Sequence, residues 1–176
     1  MKKSKFFFLG ILAIFACNSK SNEKKLAISP YFDVKSFFEK EAAKLNQQKP
    51  TIVKWVAKDD LGEKKKLKIK DWKKELKSFI DADINKGSWQ NEFNKTTTNE
   101  VTTYTSANDK IPVKKLMVAK QGDSVIYVRI MVTTTNFLYT SKDTLNYYPG
   151  KFYELKKTQK ITLFSQTSYQ IKGVFN

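Results

Sequence analysis

No histidine occurs anywhere in the 176 residues. That absence removes Ser-His-Asp and Cys-His catalysis, the usual general base near neutral pH, and every zinc site built on imidazole. A single cysteine, Cys17, excludes an internal disulfide. The six glycines include no phosphate-cradling loop. Arginine is scarcer still, since Arg129 stands alone among 33 basic residues. Sequence reading of DNA leans on arginine's bidentate fork, and no RNA-binding motif is present, so nucleic acid is not an expected partner. Long apolar runs are missing too. The eleven residues Phe6–Ala16 would span about 16 Å as a helix, half of the roughly 30 Å of bilayer hydrocarbon.

Carboxylates could still act as acid and base. Asp59-Asp60 reads as a turn, however, and Asp81 and Asp83 point to different faces of an expected helix. Neither makes a pair that sequence can set at a glycosidase separation. No metal site and no cofactor is implied, and an enzyme is not expected.

What the chain does have is lysine, aromatics and β-branched residues. Apolar residues make up 40% and aromatics 14%, enough for a packed core rather than disorder. The formal net charge is +16.

Lys2, Lys3 and Lys5 precede the apolar run, which stops at Cys17. The stretch is too short for a membrane span and fits the core of a secretory signal. Its last four residues, Ile14-Phe15-Ala16-Cys17, resemble the bacterial lipoprotein signal, with Phe15 bulkier than the residue usual there. The resemblance covers the first tenth of the chain. It implies that residues 1–16 are removed, that the Cys17 thiol receives a diacylglyceryl group, and that the new amine is acylated. Two or three acyl chains hold a membrane far better than one. Residues 17–27 are then a lipidated cysteine and flexible tether, and 28–176 a single domain. No aspartate follows Cys17 and no acidic cluster follows it, so the resemblance implies an outer-membrane anchor facing the periplasm. The outer face of a Gram-positive membrane is the alternative. Removing Lys2, Lys3 and Lys5 from the 33 basic residues leaves 30 against 17 acidic, a net +13. Outside the cytoplasm, the anions within reach are lipid phosphates and acidic wall polymers.

In the body, Asp33 is a good N-cap for a helix in which Val34, Phe37, Phe38, Ala42 and Leu45 form one stripe. Asn46 and Pro50 end it. A hairpin follows, with Val53, Trp55 and Ala57 alternating and Asp59–Gly62 turning. Asp71 caps a second helix carrying Trp72, Leu76, Phe79, Ile80 and Ile84, and Gly87 closes it. From Asn99 strands are expected over 101–105, 113–120, 124–134, 137–140, 144–148, 151–155, 160–164 and 169–175. The short turns between them favour antiparallel neighbours. The fold class is α+β: two helices and a β-hairpin, then a curved antiparallel β-meander with helices on one face. The alternative is a lipocalin-like closed barrel. Trp55, Trp72, Phe79 and Phe164 fall at core spacing.

In the strand over 124–134, Ile126, Val128, Ile130 and Val132 take one face and Val125, Tyr127, Arg129, Met131 and Thr133 the other. That second face is a candidate ligand groove, with Arg129 gripping a carboxylate or phosphate. Tyr104 and Tyr147 are expected on the same surface as Tyr127. Asp123-Ser124-Val125 and Asp143-Thr144-Leu145 resemble a short O-glycosylation motif of exported proteins, placing candidate sites at Ser124 and Thr144 where turns meet strands. The body resembles small lysine-rich envelope lipoproteins of Gram-negative bacteria, which import no activity. Three roles are carried forward. One is a non-enzymatic binding module for an envelope protein or anionic polymer. The others are a small-ligand or lipid carrier with a lipocalin-like cavity, and a glycan or cell-wall hydrolase. Cells fed a labelled fatty acid should incorporate it into the wild-type chain and not into Cys17→Ala; equal, background labelling of both would remove the anchor.

Overall fold

The computed structural model describes residues 30–59 and 61–176. The signal-like segment, Cys17, the tether and Asp60 lie outside the described residues.

The first helix, α1, runs Val34–Gln48 and starts where expected. Asp33 accepts a hydrogen bond from the Ser36 amide at 2.9 Å, satisfying one of the orphan donors of the first turn. Val34, Phe38, Ala42 and Leu45 recur every three to four residues and are buried. Lys49, left-handed at φ 48°, ends the helix by donating its amide to the Leu45 carbonyl, and Pro50 follows. The hairpin is β1 (Thr51–Lys58) and β2 (Leu61–Lys68).

The second expected helix is broken in two, α2 (Trp72–Glu75) and α3 (Lys77–Asp81), with Asp71 as N-cap. Its end lies at Asp81, and Gly87 opens a short 3-10 turn over Gly87–Trp89 instead of closing a helix. The cause is Asn85. Its side chain accepts from the Tyr31 amide (3.2 Å) and donates to the Phe32 carbonyl (3.0 Å), so the chain leaves the helix to reach the segment before α1. Ile84 is still fully buried.

Seven further strands follow: β3 (Asn94–Thr98), β4 (Val101–Thr105), β5 (Val113–Gln121), β6 (Ser124–Thr135), β7 (Tyr139–Tyr148), β8 (Phe152–Ile161) and β9 (Gln166–Phe175). Strand β3 was not expected. Its sequence NKTTT is exposed at all five positions, so it has no apolar face to alternate. Four short expected strands merge into the two long ones, β7 and β8, which pair rung by rung from Tyr139–Ile161 to Tyr148–Phe152.

All nine strands form one antiparallel open sheet in the order β2-β1-β9-β8-β7-β6-β5-β4-β3. The α+β expectation holds in this form. The closed barrel does not, because among the described residues β2 and β3 each pair with a strand on one side only. Strand β2 carries Lys64, Lys65, Lys66 and Lys68, which discourages pairing with another chain at that edge.

The helices pack on one face of the sheet. Phe38, Phe79 and Tyr147 meet at ring-centroid distances of 4.8–6.0 Å, and Trp72 stacks on Phe175 at 5.5 Å. Two sheet phenols reach helix carboxylates: Tyr147 Oη donates to Glu41 and Tyr153 Oη to Glu75, each at 2.6 Å. Burial, then the carboxylate partner, raises both phenols far above their ordinary range. Of the expected core aromatics, Trp72 and Phe79 are buried, Trp55 is partly exposed on the other face, and Phe164 is exposed in a turn.

Gly173 lies directly under the Tyr153 ring, and a Cβ there would run into it. Gly173→Ala should cost about 2 kcal/mol or more, read as a lower urea midpoint; an unchanged midpoint would mean the ring can move aside. The tyrosine pair sets an alkaline limit. A phenol held above its ordinary value of about 10 stabilises fully below that pH and loses the contribution as pH climbs beyond it. Stability should therefore fall above pH about 10, more gently in the Tyr147→Phe/Tyr153→Phe double variant.

Candidate functional site

Strand β6 carries the expected site residues, and a bulge decides which way they face. Val118 pairs with Val128 and Ala119 with Tyr127, but Lys120 pairs with Val125, leaving Ile126 without a partner. The extra residue shifts the period-two alternation. Val125 therefore packs against the core and Ile126 is exposed, the reverse of the sequence expectation. Beyond the bulge the expected phase holds: Val128 and Ile130 are fully buried and Arg129 is exposed on the face without helices.

Register extends Arg129 into a row across the sheet. Arg129 pairs with Asn146, Asn146 with Glu154, Glu154 with Lys172, and Lys172 with Trp55. Asn146 is the hub. Its Oδ1 accepts from Arg129 Nε (2.9 Å) and Tyr127 Oη (3.1 Å), and its Nδ2 donates to Glu154 Oε2 (3.1 Å). Gln170 Nε2 donates to Glu154 Oε1 at 2.8 Å, and Lys156 Nζ lies 3.5 Å from the same oxygen. Asn146 and Glu154 are 6% and 7% exposed although no helix covers them. Neighbouring side chains shield them, and their hydrogen bonds offset the loss of water.

Arg129 spends one nitrogen on Asn146, and its guanidinium stands 5.8 Å from the Tyr127 ring centroid. Its two terminal nitrogens have no hydrogen-bond partner among the described residues. The fork is thus oriented but unoccupied by protein, the arrangement that suits a planar anion. Burial raises the Tyr127 hydroxyl above its usual range, the Arg129 charge acting the other way, so the phenol stays a donor to Asn146. Beside this row runs an aromatic one: Tyr127 to Tyr148 at 4.4 Å and Tyr148 to Phe152 at 4.6 Å, with Lys172 Nζ 4.8 Å over Phe152.

Charge on the two faces is unequal. Alternation from the paired positions puts Lys64, Lys66, Lys68, Lys115, Arg129, Lys142, Lys156, Lys160 and Lys172 on the open face. Among the described strand residues the only carboxylate there is Glu154. The acids of the strands and helices otherwise serve the covered side: Asp143 pairs with Lys157, Glu75 with Lys54, and Glu41 with Tyr147.

Two expected members of the site lie elsewhere. Tyr147 pairs with Val128 and therefore points into the core beneath α1. Tyr104 pairs with Leu116, is buried, and meets Tyr31 edge-on at 5.8 Å. Tyr127 and Arg129 stay together. Asn146, Glu154, Gln170 and the Tyr148–Phe152 pair were missed. Their sequence signal was present, because Leu145-Asn146-Tyr147 and Tyr153-Glu154-Leu155 each set one polar residue between two apolar ones. Only register shows that these polar positions meet.

Ser124 is exposed where the β5–β6 turn meets β6, as expected. Thr144 is not at a turn. It sits half-buried in the middle of β7, paired with Met131 on one side and Lys156 on the other. Of the carboxylates weighed for catalysis, the three described have structural partners: Asp59 accepts from the Ser168 amide, Asp81 binds Lys77 with both oxygens, and Asp83 accepts from the Asn85 amide. Among the described residues no three of His, Cys, Asp and Glu gather as a metal site, and no helix is long and apolar enough to cross a membrane.

On the covered side, a cleft of about 650 Å³ opens between β1 and α2, with Lys54, Lys70 and Lys74 at its walls and Leu155 and Ile171 at its floor. Lys54 is already neutralised there by Glu75 at 2.7 Å. No protein-family model, curated protein or solved structure matches this chain.

Proposed function

We propose that the chain is a non-enzymatic binding module of the bacterial envelope, held to the outer membrane on the periplasmic side through lipid on Cys17, and that its open sheet face takes an anionic polymer. The observation that supports this reading most is the charge of that face: nine cations against one carboxylate among the described strand residues, with Arg129 oriented by Asn146 and its fork unspent. Along the Arg129 row Lys172 lies three strands on and Lys64 two more, and adjacent strands are about 4.8 Å apart, so a polyanion meets cations at intervals of roughly 10–15 Å. A surface of one sign raises the local concentration of such a polymer and makes its binding salt-dependent. The aromatic row adds an apolar strip against which a sugar ring or backbone carbon can lie.

The carrier reading has lost the barrel on which it was drawn, and the cleft at Lys70 and Lys74 is what still supports it. Titration calorimetry of the full chain with polyglycerol phosphate and polygalacturonate, against uncharged dextran, tests the leading reading. Arg129→Ala and Lys156→Glu should each weaken the polyanions by about tenfold, with Arg129→Lys between. Lys65→Glu, on the other side of β2, should change binding little. Indifference of the polyanions to both open-face substitutions would overturn the assignment.

A further inference from the structure

Two adjoining hairpin turns end in exposed apolar side chains. The β6–β7 turn carries Phe137 and Leu138, and the β8–β9 turn carries Leu163 and Phe164; Phe137 is 90% and Leu163 98% exposed. The turns are tied into one tip. Thr162 donates its amide to the Leu138 carbonyl (2.9 Å) and its hydroxyl to the Leu138 (3.0 Å) and Phe137 (3.3 Å) carbonyls. Asn136 Oδ1 accepts from the Leu138 and Tyr139 amides at 2.8 and 3.0 Å, and Leu163 adopts φ 70°. Several backbone polar groups are thus satisfied within the tip, and the apolar side chains are what it presents outward.

Making a turn does not require such residues. At the opposite end of the same sheet the hairpins close with Gly122-Asp123, Asn99-Glu100 and Pro149-Gly150. The apolar tip is also built from single, highly exposed side chains, which suits a fluid surface better than a shaped protein groove. Immediately behind it on the open face stand Lys160, paired with Thr140 one rung from Tyr139–Ile161, and Lys142 two rungs further on. Both are exposed, and neither meets a carboxylate within 4 Å among the described residues. Apolar side chains at the end and ammonium groups one and three rungs back match the order of acyl chains and phosphates in a lipid leaflet.

From this we infer that the Phe137–Leu138/Leu163–Phe164 tip docks into an anionic bilayer surface. It makes a membrane contact through the folded domain that is separate from the lipid on Cys17. Docking fixes one end of the sheet at the leaflet and stands the strands up from it.

Because Cys17 is the only cysteine, Cys17→Ala gives a background for one fluorescent label. In the full chain with this change, an environment-sensitive dye on Leu163→Cys should shift to the blue with phosphatidylethanolamine–phosphatidylglycerol vesicles. The same dye on Asp123→Cys, at the other end, should not shift. Adding Phe137→Ser and Phe164→Ser should weaken vesicle binding read at residue 163 by about tenfold or more. No shift at 163, or equal shifts at both positions, would overturn the inference. So would a concentration-dependent shift at 163 without lipid, which would assign the tip to self-association. Equal binding to phosphatidylcholine would overturn the part given to Lys142 and Lys160.

Discussion

Two hydrogen bonds from sheet to helix, Tyr147 to Glu41 and Tyr153 to Glu75, fix which face of the sheet is closed. In a strand, neighbouring side chains point to opposite faces. Seating Tyr147 under α1 therefore sends Asn146 outward, and seating Tyr153 under α2 sends Glu154 outward. The same two tyrosines that lock the core thus define the centre of the open-face row. Gly173 belongs to this arrangement, because the Tyr153 ring occupies the space where a β-carbon would stand. Were β7 to slip by one residue, Asn146 would meet the phenylalanines of the helices and Tyr147 would meet solvent.

The open face handles burial differently from the core. Buried phenols against carboxylates are satisfied pairwise, each hydroxyl having one acceptor at 2.6 Å. Glu154 is shielded without an apolar roof, and three donors converge on it: Asn146, Gln170 and Lys156. Each of these contacts replaces a water that the shielded carboxylate has lost. It offsets only one of the cations on that face, and Lys156 is the one beside it. Arg129 is the contrasting member. Its Nε is bonded to Asn146, and its terminal nitrogens have no hydrogen-bond partner among the described residues.

Much of the framework was legible in the sequence where one physical signal dominated. Asp33 and the Val34–Leu45 stripe marked α1, and Asp71 marked the start of α2, because capping and periodicity act locally. Strand β3 was hidden, since five exposed polar residues carry no pattern. Gly87 misled because a glycine after an apolar stripe resembles a cap, while the chain was being drawn away by Asn85, 53 residues from Phe32. In the candidate site, Arg129 and Tyr127 could be paired by counting along one strand. Tyr147 could not be placed that way, because its face depends on β7 pairing with β6 at Val128. The bulge at Ile126 shows the limit most sharply. One unpaired residue reversed Val125 and Ile126 without altering the sequence pattern that had assigned them.

The geometry of the sheet relates the two proposed surfaces. The basic and aromatic rows cross the strands, whereas the apolar tip lies at the strands' ends. A leaflet touching the tip would therefore run parallel to the rows and leave the open face standing beside it, facing sideways. Lys142 and Lys160 occupy the rungs where the two surfaces meet. They can answer lipid phosphate from the tip and polymer from the face, but one ammonium group cannot neutralise both at once. A polymer rooted in the same leaflet would resolve that competition, since its first charged units emerge at the height of these lysines and the chain can continue upward past Lys156 to Arg129.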